Sequence, residues 1–415
     1  MVGSWCGLYF GNEEVLSSKS YPITTDFFTP QDKVISTENT EDGESVVYKY
    51  TVPIFTAIER LQACGATLDA GRESFERYKA EVIADFESRL ADQDRYTDVA
   101  KIEKSLELIK VIDFDAWGKL IQRYMAGEKT SNPEPFTYIF YVENEIDFLF
   151  LEHSDFNDYG LSSLDNNAFL AILSTFPDKL GTFVTMEYSE LVHGGYVDAE
   201  EDLSSNSPQS KTVILTEGVT DRRYIEASLQ ILKPHLASCY SFLDFEENKL
   251  QGSASSLIHT IKALSAAGIS NDIVAVFDND TAAKDSMKYL KELKLRKNIR
   301  IVSLPDIDLL KNYPTVGPQG SVDMDVNGLA GSIELYFPVE ALRHQLGMFH
   351  PVIWKGFIEG QKKYQGEVSR KADIQASFDK ILLDIKDGRS SVASYDFGNM
   401  MKVLETICGF SFHKA

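Results

Sequence analysis

Three carboxylates punctuate one stretch of this 415-residue chain where strands would end. Glu217 follows the short apolar run Val213, Ile214 and Leu215, and Asp278 and Asp280 follow a second run, IVAVF at 273–277. Brought together, such groups repel one another unless something positive lies between them. A hard divalent cation fits, and oxygen-only ligands with no His or Cys nearby favour Mg2+ or Mn2+ over zinc. Magnesium keeps waters and accepts phosphate oxygens, so the chemistry expected is metal-assisted phosphoryl transfer or phosphodiester cleavage. Either acidic element alone is as well explained by a helix N-terminus, where acids cap free N–H groups and complement the dipole. Two of them, each closing a strand of one frame, are harder to explain that way.

The frame itself is read from periodicity. Strands at 213–215, 239–245, 273–277 and 300–304 alternate with helical periods at 220–232, 253–267 and about 282–295. Continuous apolar strands between helices predict a parallel sheet covered on both faces, whose functional groups lie beyond the carboxyl ends of the strands. Asp306 and Asp308 follow the last strand and would serve as further ligands or as loop caps. Residues 313–331 are Gly- and Pro-rich and read as an exposed loop. Lys284, Lys288 and Lys291 recur at helical spacing after the Asp pair, either as a basic face for a phosphate backbone or as an ordinary solvated helix face.

TEGVTD at 216–221, followed some sixty residues later by FDND at 277–280, resembles the Toprim domain of topoisomerases, DnaG-type primases, RecR and the overcoming-lysogenization-defect nucleases. The likeness spans about 211–338 and implies a Rossmann-like, mainly parallel α/β fold. It implies that Glu217 is a general acid/base or metal ligand and that Asp278 and Asp280 hold magnesium. Asp221 matches a second acid often found in the nuclease branch, and GSIELYFP at 331–338 resembles a late acidic motif of that branch, with Glu334 in a second metal shell. The resemblance to that branch also implies a lysine after the core that offsets charge building on the phosphate, for which Lys371 is the candidate, with Lys362 and Lys363 as alternatives.

Residues 1–205 resemble the HEPN-type domain found ahead of Toprim modules, the likeness resting mostly on GSWCGLYFGNEEVLSSKS. Apart from a hairpin around Gly11 and Asn12, this part reads as mainly helical, with a polar loop at 24–46, helices from Tyr50 to about Ala126 and helical segments on both sides of Pro177. Many HEPN RNases place an arginine four to six residues before a histidine. His153 and His193 have no such arginine, so no RNase activity is expected of this domain. Residues 198–210, acidic and then Ser-rich, read as a linker. Residues 339–415 form a helical extension, with Ile374, Phe378, Ile381 and Ile385 on one face.

Composition sets the outer bounds. The net charge of -22 lies entirely in residues 1–205, with 16 Lys+Arg against 38 Asp+Glu, whereas 206–415 balance at 25 against 25. The second half therefore remains open to nucleic acid. The four cysteines are far apart, which speaks against a zinc module or a disulfide framework and so against primase and RecR. A topoisomerase would need a tyrosine nucleophile and a longer chain. No apolar run approaches the roughly 18 residues of a spanning helix, and the N-terminus does not read as a signal peptide, so a cytoplasmic location off the membrane is expected. No GxxxxGK[ST] is present, so any ATP use would need a separate ATPase or sensor chain. The reading is a Mg2+- or Mn2+-dependent nuclease acting on DNA or RNA, a homo-oligomer, with phage defence as the setting the resemblance implies. The alternative is a non-catalytic scaffold or regulatory partner of a separately encoded effector.

Overall fold

The computed structural model describes residues 4–40, 43–92, 98–131, 139–151, 159–204, 211–243, 252–290, 293–318, 320–344 and 346–412. The chain divides into two compact units, residues 1–209 and 210–414.

Unit 1 is built on an antiparallel sheet of five strands: β1 (Trp5–Phe10), β2 (Glu13–Lys19), β3 (Lys33–Thr40), β4 (Gly43–Pro53) and β5 (Phe183–Glu187). Their order is β2-β1-β5-β4-β3. Cys6, Leu8 and Phe10 alternate into the core from β1, as do Tyr50 and Val52 from β4 and Val184 and Met186 from β5. The helices α1 (Ile54–Ala63), α2 (Leu68–Asp92), α3 (Val99–Val111), α4 (Phe114–Met125), α5 (Asn166–Ser174) and α6 (Ser189–His193) complete the unit. In α2, Phe75, Tyr78, Val82 and Phe86 are buried at three- and four-residue steps, the stripe of a helix with one face inward. Helix α5 is buried on every side from Ala168 to Leu173, which puts it at the centre of the core.

The expected mainly helical character of 1–205 is therefore corrected to a sheet with helices. Strands β3 and β4 pair antiparallel in place of the expected loop followed by a helix, and helix begins only at Ile54. Past Pro177 the chain forms β5, which inserts between β1 and β4. Residues 198–204 are not a free linker. Leu203 and Ser204 are buried, the Tyr50 hydroxyl donates to Asp202 Oδ1 at 3.0 Å, and Lys33 Nζ donates to the Ala199 and Glu201 carbonyls at 2.8 Å each. Residues 205–210 lie outside the described residues, as does His153.

Unit 2 contains a parallel sheet of β6 (Thr212–Leu215), β7 (Tyr240–Phe242), β8 (Ile273–Phe277) and β10 (Ile299–Ser303), in the order β10-β8-β6-β7. Helix α7 (Val219–Leu232) follows β6, α8 (Ala254–Ala267) precedes β8, and α9 (Thr281–Met287) follows β9, the two-residue strand Asn279–Asp280. Leu215, Ile273, Ala275 and Phe277 pack with Leu257, Ile258 and Ile261 of α8 and Ala283 of α9. A second sheet, ordered β12-β11-β14-β15, comprises β11 (Tyr313–Gly317), β12 (Gly320–Met324), β14 (Val352–Ile358) and β15 (Lys363–Val368). Strand β13 (Ala330–Gly331) pairs antiparallel with β9. The helices α10 (Val339–Leu342), α11 (Lys371–Lys386) and α12 (Gly398–Cys408) end the chain. The expected loop at 313–331 is thus mostly strand, and the expected helical extension carries a β-hairpin. No described helix is long and apolar enough to cross a membrane.

One buried charge fixes a turn of unit 1. Asp147 is fully buried and accepts from the backbone N–H groups of Ser131, Glu143 and Asn144 at 2.7, 2.9 and 3.0 Å. Asp147→Ala strands three donors, a cost of about 3 kcal/mol or more, and should lower the melting temperature of unit 1 by roughly 6–12 °C. Asp147→Asn should recover part of the loss, and an unchanged calorimetric transition in the alanine variant would contradict this assignment.

Candidate active site at the carboxyl ends of the parallel strands

In the order β10-β8-β6-β7, the chain leaves the central pair β6 and β8 toward opposite edges, which makes the gap beyond their carboxyl ends a switch point where such sheets gather functional groups. Glu217 leaves β6 and Asp278 leaves β8 at this gap. Glu217 Oε1 accepts the Asp278 backbone N–H at 3.0 Å, so residues 61 positions apart are in direct contact. The Glu217 turn is closely packed: a Cβ on Gly252 would lie 2.7 Å from the Glu217 carbonyl and 3.0 Å from Gly218 Cα, so only glycine fits there. Asp221 lies in the first turn of α7.

Strand β13 brings in the fifth acid by pairing Gly331 with Asn279 and Ala330 with Asp280. A Cβ on Gly331 would meet the Asn279 carbonyl at 2.7 Å, so this approach also requires glycine. Glu334 follows, 3 % exposed, with Oε2 accepting from Ser332 Oγ at 2.7 Å and Oε1 from Gln375 Nε2 of α11 at 2.8 Å. Lys371, at the start of α11, stands 3.9 Å from Glu334 Oε2 and 3.7 Å from Glu367 Oε1. Asp280 caps α9: its Oδ1 accepts the Ala283 N–H at 2.7 Å, and its Oδ2 accepts from Gln365 Nε2 of β15 at 2.6 Å. Asn279 Nδ2 donates to Asp306 Oδ1 at 2.7 Å, so Asp306 supports this turn, while Asp308 pairs with Lys311 at the surface.

Charge at the gap is unbalanced. Burial pushes the Glu217 carboxyl up to about 7, the Asp278 N–H opposing this and the Asp280 charge adding to it. Burial, then the charges of Glu334 and Glu217, push Asp221 up to about 7 against the pull of Lys371. Asp278 is raised well above the carboxylate range by burial and by Asp221, Glu217 and Asp280. Burial would lower Lys371, but Glu334, Asp278, Glu367 and Asp221 outweigh it and hold the ammonium charged. One lysine thus faces carboxylates that repel one another.

Glu217, Asp221, Asp278, Asp280, Glu334 and Lys371 form one cluster through these contacts and charges. Of the lysines expected to form a basic face, Lys284 and Lys288 do not share one α-helix. Helix α9 ends at Met287, Lys288 and Tyr289 continue in a 3-10 turn, and Lys291 lies outside the described residues. Lys284 lies over Gly328, and Lys288 Nζ is held by Asp285 and the Gly360 carbonyl. Sequence reasoning missed Gln365, Gln375 and Ser332, which orient the acids. Gln365 and Gln375 lie 85 and 41 positions from the acids they hold and, being neutral, give no charge or spacing signal; Ser332 is two residues from Glu334, but a serine there has no distinctive pattern.

The donor set is oxygen-only and electrostatically unsatisfied, which fits a hard dication, with Glu217, Asp278 and Asp280 as the residues that would hold it. As the side chains stand, no three such groups among the described residues converge on one point close enough to hold an ion. The Asp278 amide occupies one oxygen of Glu217, and the α9 cap and Gln365 engage both oxygens of Asp280.

A two-unit chain with acids at the switch point of a parallel sheet is thereby defined. It belongs to the HEPN/Toprim N-terminal domain 1 family, which matches residues 2–211. No curated protein and no solved structure matches it.

The raised carboxyls carry a pH signature. Between about pH 4 and about pH 7 the folded protein keeps protons on Glu217 and Asp221 that the unfolded chain has released, so their contribution to stability falls as pH rises through that window. In metal-free protein the transition of unit 2 should melt higher at pH 5.5 than at pH 8, and Glu217→Gln should shrink that difference. An identical pH dependence in the variant would show that Glu217 is not strained by its neighbours.

Proposed function

We propose that the chain is a metal-dependent nuclease whose Toprim-type active site lies in unit 2, in the overcoming-lysogenization-defect-like branch. The observation that carries this is the contact between Glu217 and the Asp278 amide at the switch point, with Asp221, Asp280, Glu334 and Lys371 around it. Membership of a HEPN/Toprim-associated family supports it.

In this reading Glu217, Asp278 and Asp280, with Glu334 behind them, would hold Mg2+ or Mn2+, which would supply Lewis acidity when bound. Asp221, which burial and neighbouring charges raise to about 7 and which is not among the residues that would hold the cation, suits proton transfer: its carboxylate takes a proton from the attacking water, and the leaving oxygen regains one. The water oxygen bonds to phosphorus as the bond to the leaving oxygen breaks. Lys371 stays protonated and offsets the negative charge building on the phosphate. Cytoplasmic phage defence, self-assembly and action with a separate ATPase or sensor chain complete the proposal.

A non-catalytic scaffold role is favoured by one observation, that the acids do not converge in the described residues. Activity separates the two. Purified protein incubated with plasmid, linear DNA and tRNA should cut at least one of them in Mg2+ or Mn2+ and none in EDTA. Glu217→Ala and Asp278→Asn should each lower the rate by about 100-fold or more, and undiminished metal-dependent cutting in both variants would refute the assignment.

A further inference from the structure

The β14–β15 hairpin is the element of unit 2 that joins the acid cluster to an exposed aromatic surface. Five contacts fasten it to the segment that begins with Asp280. Thr281 Oγ1 donates to the Tyr364 carbonyl at 2.8 Å, and the Ala282 N–H donates to Gln365 Oε1 at 2.9 Å. Gln365 Nε2 donates to Asp280 Oδ2 at 2.6 Å, Gln361 Nε2 to Asp285 Oδ1 at 3.4 Å, and Lys288 Nζ to the Gly360 carbonyl. Successive strand residues face opposite sides. With Gln365 turned toward Asp280, the neighbouring Tyr364 faces away from it.

Tyr364 does not stand alone there. Phe357 is its direct cross-strand partner, and the two rings meet edge to face with centroids 5.2 Å apart. Both are left open, Tyr364 at 57 % and Phe357 at 45 % exposure. Lys362 and Lys363 flank them in sequence, exposed and outside any ion pair among the described residues, while Lys355 is paired with Glu367 at 3.0 Å. An exposed aromatic pair beside unpaired ammonium groups, in the half of the chain where Lys+Arg and Asp+Glu balance at 25 each, is suited to a ligand with flat apolar faces and a polyanionic backbone.

We propose that this hairpin is a platform for single-stranded nucleic acid, on which Phe357 and Tyr364 stack unpaired bases while Lys362 and Lys363 hold the adjoining phosphates. The proposal rests on the nuclease reading for the strand being a substrate, and it names the substrate's form: unpaired nucleotides, with the scissile phosphate a few nucleotides from the stacked base. Tyr364 is the sequence neighbour of Gln365, whose side chain holds Asp280, so the aromatic pair lies a few side-chain lengths from the acids. Stacking does not sense the 2′-hydroxyl, so DNA and RNA strands both fit.

The test measures binding by the full chain without cutting, from the fluorescence anisotropy of labelled oligo-dT, oligo-U and a duplex of equal length in EDTA. The wild type should bind a single strand more tightly than the duplex. Phe357→Ala with Tyr364→Ala should weaken single-strand binding by about tenfold or more and change duplex binding little. Phe357→Trp with Tyr364→Trp should keep the affinity and show tryptophan quenching on binding. Lys362→Glu with Lys363→Glu should flatten the salt dependence. Unchanged single-strand affinity in the alanine variant overturns the proposal, and so does a change in sedimentation that marks the pair as a contact between two copies of the chain. Cutting that persists while the alanine variant binds normally removes the platform and leaves the nuclease reading standing. Hairpin-dependent binding with no cutting in Mg2+ or Mn2+ does the reverse.

Discussion

Mutual repulsion among carboxylates at the ends of β6 and β8 is the constraint on which the rest of unit 2 depends. Parallel pairing of the two strands, Val213 beside Ile273 through Leu215 beside Ala275, delivers Glu217 and Asp278 to the same edge whatever their side chains prefer. Burial then removes much of the water that would screen them. The result is stored in raised proton affinities and in a lysine held charged by the acids around it. Such a site is at rest when protonated and calls for a cation when it is not.

The surrounding elements make sense as restraints on that charge. Strand β13 seats Glu334 beside β9, α11 contributes both Lys371 and Gln375, and β15 contributes Gln365. Amide donors hold these carboxylates from one side, so Glu334 and Asp280 are fixed in orientation. The segment after residue 338 is therefore structurally part of the site, and unit 2 extends through it to residue 414.

What was legible in the sequence follows from the range of the forces involved. IVAVF ending in DND declares a buried strand with acids at its tip because the signal is contiguous, and the strand found is Ile273–Phe277. The likeness of residues 3–20 to the HEPN/Toprim N-terminal domain agrees with the family match. The sheet of unit 1 was hidden because β5 finds its β4 partners 130 to 138 residues away, and because β3 presents exposed residues such as Ile35 that break a simple alternation. Local periodicity carries no record of such pairings. The same limit conceals Gln365, whose neighbours in sequence are ordinary strand residues and whose role exists only once β15 lies against α9.

The most direct test of the shared-cation account is a Mn2+ anomalous difference map from crystals grown at pH 8. The account predicts a peak with carboxylate oxygens of both Glu217 and Asp278 about 2.0–2.2 Å away, the Glu217 oxygen having left the Asp278 amide to reach it. A map with no peak at this gap, and with Glu217 still bonded to that amide in saturating Mn2+, would contradict it.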